Sequence, residues 1–266
     1  MNATAGTIER RTIAKISWRL LPLIALGYCV AYIDRTNVGF AALTMNKDIG
    51  LSPYVFGWGA GIFFFGYFLF EIPSNLILEH VGARIWIARI MITWGIISGL
   101  TAFVTGPASF LTIRFLLGVA EAGFFPGMIL YFTYWYPAEY RGRVISTLFI
   151  AQPVANALAS IVSGAILGMD GILGLKGWQW VFILEALPAL VLAVVVWKVM
   201  TDRPAVADWL AADEREWLET RLGEERRTID RRGRLSLLQS LSDRRVLALS
   251  AIYFASVTTA VRLSVE

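Results

Sequence analysis

Two strongly apolar stretches each carry a carboxylate and an arginine: Asp34 and Arg35 in the first, Arg114 and Glu121 in the fourth. An ionised side chain in hydrocarbon costs at least ~2.5–3.5 kcal/mol on insertion scales, so such residues face a polar cavity and mark an ion or substrate path. Carboxylates can carry protons, and a guanidinium binds an anion through its planar fork. The rest of the sequence offers little for catalysis. It contains no nucleophile–base pair, metal-ligand cluster or phosphate loop, and its one histidine, His80, rules out a histidine-rich metal site. The chemistry expected is transport, not an enzymatic reaction, with no cofactor and no metal.

The elements that hold these charges read as membrane helices. The chain is 57% hydrophobic and 17% charged, against about 45–50% and about 25% in soluble domains. Apolar runs fall at 20–43, 54–78, 85–105, 108–136, 144–168 and 178–200, and a seventh begins near Val246. A helix of about 20 apolar residues crosses a bilayer, so six runs are long enough and the seventh is short. The first run is too long for a signal peptide and lacks a small-residue cleavage site, so it is kept as a helix. Cys29 lies inside that run and cannot found a disulfide framework.

Orientation follows from the bases. With the N-terminus in the cytoplasm, 19 of the 24 Lys and Arg residues fall on that side, and only Lys47 and Lys176 lie in external loops. That asymmetry satisfies the positive-inside rule, and the reverse orientation violates it at each loop. It also accounts for the net charge of +4 without any affinity for nucleic acid.

Three regions are expected: a six-helix bundle over 1–200, a charged cytoplasmic connector over 201–245, and the start of a seventh helix over 246–266. Pro204 is read as ending the sixth helix. Asp213 with Glu216 can cap a short helix whose Trp217, Leu218 and Leu222 form one apolar stripe. The connector is either one or two such helices against the cytoplasmic face or a solvated linker. Six spans, a long connector and a seventh span suggest the first half of a twelve-helix transporter built from inverted three-helix repeats. On that scheme the first and fourth spans correspond, and they are the two that carry the charges.

At ~1.5 Å per residue, Asp34 lies roughly 21 Å from Leu20, with Arg114 at a similar depth and Glu121 nearer the centre. Tyr67 of the second span and Gln152 of the fifth fall near mid-membrane by the same count. A less specific reading stays open at each place. Asp34 with Arg35, and Arg114 with Glu121, also suit buried ion pairs that only fix packing. Glu71 and Glu185 read as structural or gate residues. The Gly57-x-x-x-Gly61 and Gly123-x-x-x-Gly127 patterns suit close helix packing. Trp178 and Trp180 read as interface anchors, and His80 as a loop residue.

Several motifs carry a family resemblance. The loop after the second span reads Glu79-His80-Val81-Gly82-Ala83-Arg84. The first span holds Tyr32-Ile33-Asp34-Arg35-Thr36-Asn37, and the fourth holds Arg114, Gly118, Glu121 and Pro126-Gly127. With Pro73-Ser74-Asn75 and the stretch from Tyr136-Pro137 to Arg141-Gly142-Arg143, residues 15–255 resemble the anion:cation symporter branch of the major facilitator superfamily. That branch includes bacterial permeases for tartrate, galactonate, phthalate and hydroxyphenylacetate.

The resemblance implies an all-α integral membrane protein, the N-terminal half of a major facilitator fold in the cell inner membrane. It implies proton coupling at Asp34 and Glu121, and a small organic anion held by Arg35 and Arg114 in a cavity lined by Tyr67 and Gln152. Glu79, Gly82 and Arg84 would latch the cytoplasmic gate. Members of the family are about twice as long, so a C-terminal half is implied as partner, besides protons and the lipid bilayer. Two functions stay open: a proton-coupled symporter of a carboxylate, and a truncated, non-transporting membrane protein or half-transporter that needs a second half.

Overall fold

The computed structural model describes residues 2–231, 239 and 242–263. Part of the connector (232–238, 240 and 241) and the last three residues, Ser264, Val265 and Glu266, lie outside the described residues. The described residues form nine α-helices: α1 (Asn2–Asp48), α2 (Pro53–Val81), α3 (Ala83–Leu100), α4 (Pro107–Glu121), α5 (Phe124–Trp135), α6 (Ala138–Leu167), α7 (Gly177–Val199), α8 (Ala212–Arg231) and α9 (Arg244–Leu263). Among the described residues six helical stretches, with α4 and α5 counted as one, are long and apolar enough to cross a membrane. Side chains such as Phe64, Phe65 and Phe68 of α2 and Ile161 of α6 point outward, as a surface solvated by lipid permits.

Local chemistry sets the helix ends. Ser52 accepts a hydrogen bond from the Val55 amide at 3.2 Å, and Pro53 follows at the first helical position, where its missing N–H costs nothing. At the start of α7, Gln179 accepts from the Lys176 amide and Asp170 from the Gly177 amide, both at 2.8 Å. The fourth apolar run is not one helix. It breaks directly after Glu121, where Ala122 leaves helical geometry and Gly123 takes φ +85°. A Cβ on Gly123 would lie 2.3 Å from the Ser74 hydroxyl, so both backbone angle and space demand glycine.

The helices pack as α2 along α4, α3 along α7, and α1 against α6 and α7. Small residues bring α2 and α4 together. A Cβ on Gly118 would stand 2.0 Å from the Phe63 carbonyl oxygen, and one on Gly59 2.3 Å from the Phe110 ring. Gly57 and Gly61, expected to serve this purpose, have open space around them. The packing face of α2 runs through Gly59 and Gly66 instead, because residues two apart lie on nearly opposite sides of a helix. Gly123 and Gly127 do meet α2, at Ser74 and Leu78.

Other local expectations change in the same way. Trp178 is 3% exposed and donates from Nε1 to Asp48 at 3.0 Å, so it clamps α7 to the end of α1 and anchors nothing in lipid. His80 belongs to the last turn of α2, with Nδ1 2.7 Å from the Leu76 carbonyl. The expected loop at 79–84 shrinks to one residue, Gly82, between two helices. Pro204 opens a short 3-10 turn (Pro204–Val206), and α7 already ends at Val199.

The chain divides into two compact units, 1–222 and 223–266. The first includes the beginning of α8, whose Leu218 and Leu222 are buried in the main core. Its cap is shifted from the expected one: Glu214, not Glu216, reaches back, accepting from the Ala211 amide at 2.9 Å. Glu214 is 2% exposed and also accepts from Arg11 Nε at 2.8 Å and Lys15 Nζ at 2.9 Å, while Arg11 pairs with Asp213 as well. In the second unit Asp243 caps α9, accepting from the Arg245 amide at 2.7 Å.

These contacts make the start of α8 pH-sensitive. Partial desolvation pushes the Asp213 and Glu214 carboxyls up. The hydrogen bonds and charges of Arg11 and Lys15, with backbone amides, outweigh it and hold both below the usual carboxylate range. A carboxyl with a lowered value in the folded state stabilises it fully above the unfolded value, about 4. That contribution is lost as pH falls through the folded value. The 212–222 amides are therefore expected to lose hydrogen-exchange protection below about pH 4, after correction for intrinsic rates. Protection unchanged from pH 7 to 3 would show that these ion pairs do not hold the connector.

Candidate functional site

The charges on α1 and α4 meet, but not in the pairs their sequence neighbours suggest. Arg35 Nη2 donates to Glu121 Oε1, joining the first span to the fourth. Asp34 points elsewhere, since adjacent helical residues are rotated by ~100°. It is buried, and accepts from the Ser98 hydroxyl of α3 and from Asn37 Nδ2 at 3.2 Å. Neither within-span ion pair forms.

Arg114 is the distinctive member of the set. It is 4% exposed, and its Nε donates to the Gly59 carbonyl at 3.3 Å. Its guanidinium carbon lies 4.7 Å from the centroid of Phe63. Among the described residues no carboxylate lies within salt-bridge distance of it. The same Phe63 ring is 5.6 Å from Arg35, which also faces Tyr67 at 5.6 Å and Tyr32 at 5.7 Å. An aromatic face attracts a cation without neutralising it. Two arginines thus share one aromatic wall, one paired with Glu121 and the other held by a carbonyl and a ring.

The structure therefore brings Arg35, Glu121, Arg114 and Tyr67 together around Phe63, with Asp34 on the α3 side of α1. Gln152 is half-buried on α6 and makes no hydrogen bond with them among the described residues. Glu79, Gly82 and Arg84 lie at the corner between α2 and α3, some 15 residues or roughly 22 Å from Tyr67. There Gly82 turns the chain at φ +99°, and Asp202 accepts from the Arg84 amide at 2.8 Å, tying α3 to the segment after α7. Glu79 is exposed. Phe63 and Ser98 escaped the sequence reading, and Tyr32 entered it only as part of the first-span motif. Phe63 precedes Tyr67 by one helical turn and could have been found by that spacing, whereas Ser98 had no signal.

The family model of the Major Facilitator Superfamily matches residues 24–264. The chain belongs to this superfamily. Among its relatives, a putative tartrate transporter of Agrobacterium vitis is 56% identical over 249 residues, 94% of this chain and 57% of that protein. A quinolone resistance transporter of Acinetobacter baumannii is 44% identical over 253 residues, 95% and 58%. The inward-open xylose transporter XylE from E. coli superposes with a TM-score of 0.64 at 16% identity, covering 83% of this chain and 58% of that one. That likeness concerns the fold. This major facilitator chain spans about half the length of the curated relatives it matches, and its superfamily consists of transporters, not enzymes.

Proposed function

We propose that the chain forms the N-terminal half of a proton-coupled symporter for a small organic anion in the cell inner membrane. In this reading the N-terminus and the 201–245 connector are cytoplasmic, and a second six-helix half completes the cavity. One observation carries the proposal: Arg114 is buried beside the Arg35–Glu121 pair with no carboxylate of its own among the described residues. The carboxylates of Asp34 and Glu121 reach Arg114 only through their fields; a buried cation with no carboxylate in contact is unfavourable, and an organic carboxylate supplies that contact. The relatives named as putative tartrate transporters support a carboxylate, since a dianion matches two arginines.

Coupling follows from competition for Arg35. Desolvation favours the neutral form of a carboxyl, and an adjacent guanidinium favours the charged form. A substrate carboxylate that takes Arg35 leaves Glu121 without its cation, and Glu121 then accepts a proton. Asp34, held by hydroxyl and amide donors, is the second proton carrier. Tyr67 and Gln152 line the cavity, and Gly82 with Glu79 and Arg84 forms the gate corner.

The test is uptake of labelled carboxylates into proteoliposomes by the chain joined to a C-terminal half. Glu121→Gln is expected to cut pH-gradient-driven uptake by at least about 100-fold, the scale of losing a positioned proton-transfer group. Counterflow exchange should be retained. Gradient-driven uptake left intact would sink the coupling role. Uptake by the 266-residue chain alone would sink the need for a second half.

A further inference from the structure

A second buried carboxylate acts on Asp34 through its field and shares Asn37 with it as a neighbour. Glu185 of α7 is 4% exposed, and its Oε1 accepts from the Ser163 hydroxyl of α6 at 2.6 Å. Its Oε2 is buried without a hydrogen bond of good geometry. Asn37 donates to Asp34 and also faces Glu185. Two carboxylates are thus held by Ser98, Asn37 and Ser163, all neutral.

We propose that Asp34 and Glu185 act as one unit in the membrane interior and hold a single proton between them, with Glu185 the positioning residue for the proton that Asp34 carries. The proposal rests on the reading of Asp34 as a proton carrier and extends it to α7.

The elements packed around the pair support it. From α3 comes Ser98 and from α6 Ser163, neither of them a charge. On α1 the charged neighbour is Arg35, which is turned to Glu121. From α4, Glu121 and Arg114 act on Asp34 through their fields. Neither carboxylate has a salt bridge among the described residues. Two ionised carboxylates here would repel each other and leave acceptor atoms dry, whereas one proton removes a charge and supplies the missing donor. Moving that proton between the two breaks one O–H bond and forms another, and the pair keeps a charge of −1 throughout. Glu185 Oε2, buried and unfilled, is the natural seat when Asp34 is ionised.

Coupled carboxyls titrate as a pair, so changing one must move the other. Infrared titration of the carboxylic C=O stretch in the 266-residue chain, reconstituted in phospholipid vesicles, reads this without any transport assay. Glu185→Gln is expected to shift the midpoint of the Asp34 band by at least about one pH unit, toward lower pH. Asp34→Asn should shift the Glu185 band by a similar amount. Ser163→Ala, which keeps both carboxyls, is a second probe should Glu185→Gln not fold; loss of a donor to Glu185 should move the pair toward higher pH. An Asp34 band that titrates unchanged in folded Glu185→Gln overturns the proposal, as does an Asp34 band unchanged in Ser163→Ala or a Glu185 band unchanged in Asp34→Asn. Because Glu121→Gln tests coupled uptake separately, failure of this pair and failure of the transport reading give different results.

Discussion

Arg35→Met is expected to destabilise the helical bundle by up to roughly 3–5 kcal/mol, the cost of removing one partner from a buried ion pair, with the Arg35 side chain 28% exposed and Glu121 buried. Glu121 is almost wholly buried and Arg35 is its only salt-bridge partner among the described residues. Methionine keeps most of the arginine stem and its packing, so the loss isolates the charge. The companion variant Arg35→Met/Glu121→Leu should recover most of the stability, since replacing both members of a buried pair by apolar groups is often neutral. The measurement is unfolding of the lipid- or detergent-solubilised chain, followed by circular dichroism. A single variant within about 0.5 kcal/mol of the parent would place Glu121 in a wetter site than its burial indicates. The double variant separates stability from function: it should fold yet lose pH-gradient-driven uptake in the completed transporter, as Arg35 and Glu121 are both gone while Arg114 remains.

Gly118→Val should have the second large effect. A Cβ at Gly118 would already meet the Phe63 carbonyl at 2.0 Å and the Tyr67 amide at 3.1 Å. Both are backbone atoms and cannot rotate away, so α2 and α4 must separate. Overpacking of this kind costs about 1–3 kcal/mol, occasionally more. The functional effect should be greater, because Phe63 and Tyr67 form the wall against which both arginines lie. Displacing that wall by 1 Å can lower a rate about 100-fold, read as uptake by the completed transporter. Gly57→Ala and Gly61→Ala are the controls. Their surroundings are open, and alanine is the better helix former by about 0.5–1 kcal/mol. If Gly118→Val and Gly61→Ala behave alike, the α2–α4 contact is not what positions the arginines.

The six spans were legible because their signal is local. Runs of about 20 apolar residues must become helices in a bilayer, where each backbone group has to be satisfied within its own segment. The charges at 34, 35, 114 and 121 stood out for the same reason: in such a run an ion is costly wherever its partner lies. The connector's apolar stripe at Leu218 and Leu222 was visible from helical spacing. Its cap was misplaced by two residues, because acidic residues crowd the first turn and several could reach back.

What sequence alone determined, then, is the membrane class of this protein, its superfamily, and the residue types at its centre. Which of those residues meet was decided only by the tertiary structure. Arg35 pairs with Glu121 across 86 positions, Arg114 stays without a contacting carboxylate among the described residues, and Asp34 turns away to Ser98, Asn37 and the neighbourhood of Glu185. Spacing along one helix fixes faces, but the partner of a face depends on how helices far apart in the chain cross. Here the crossing is set by glycines against backbone, above all Gly118 on Phe63, and no periodicity within a single span encodes that contact.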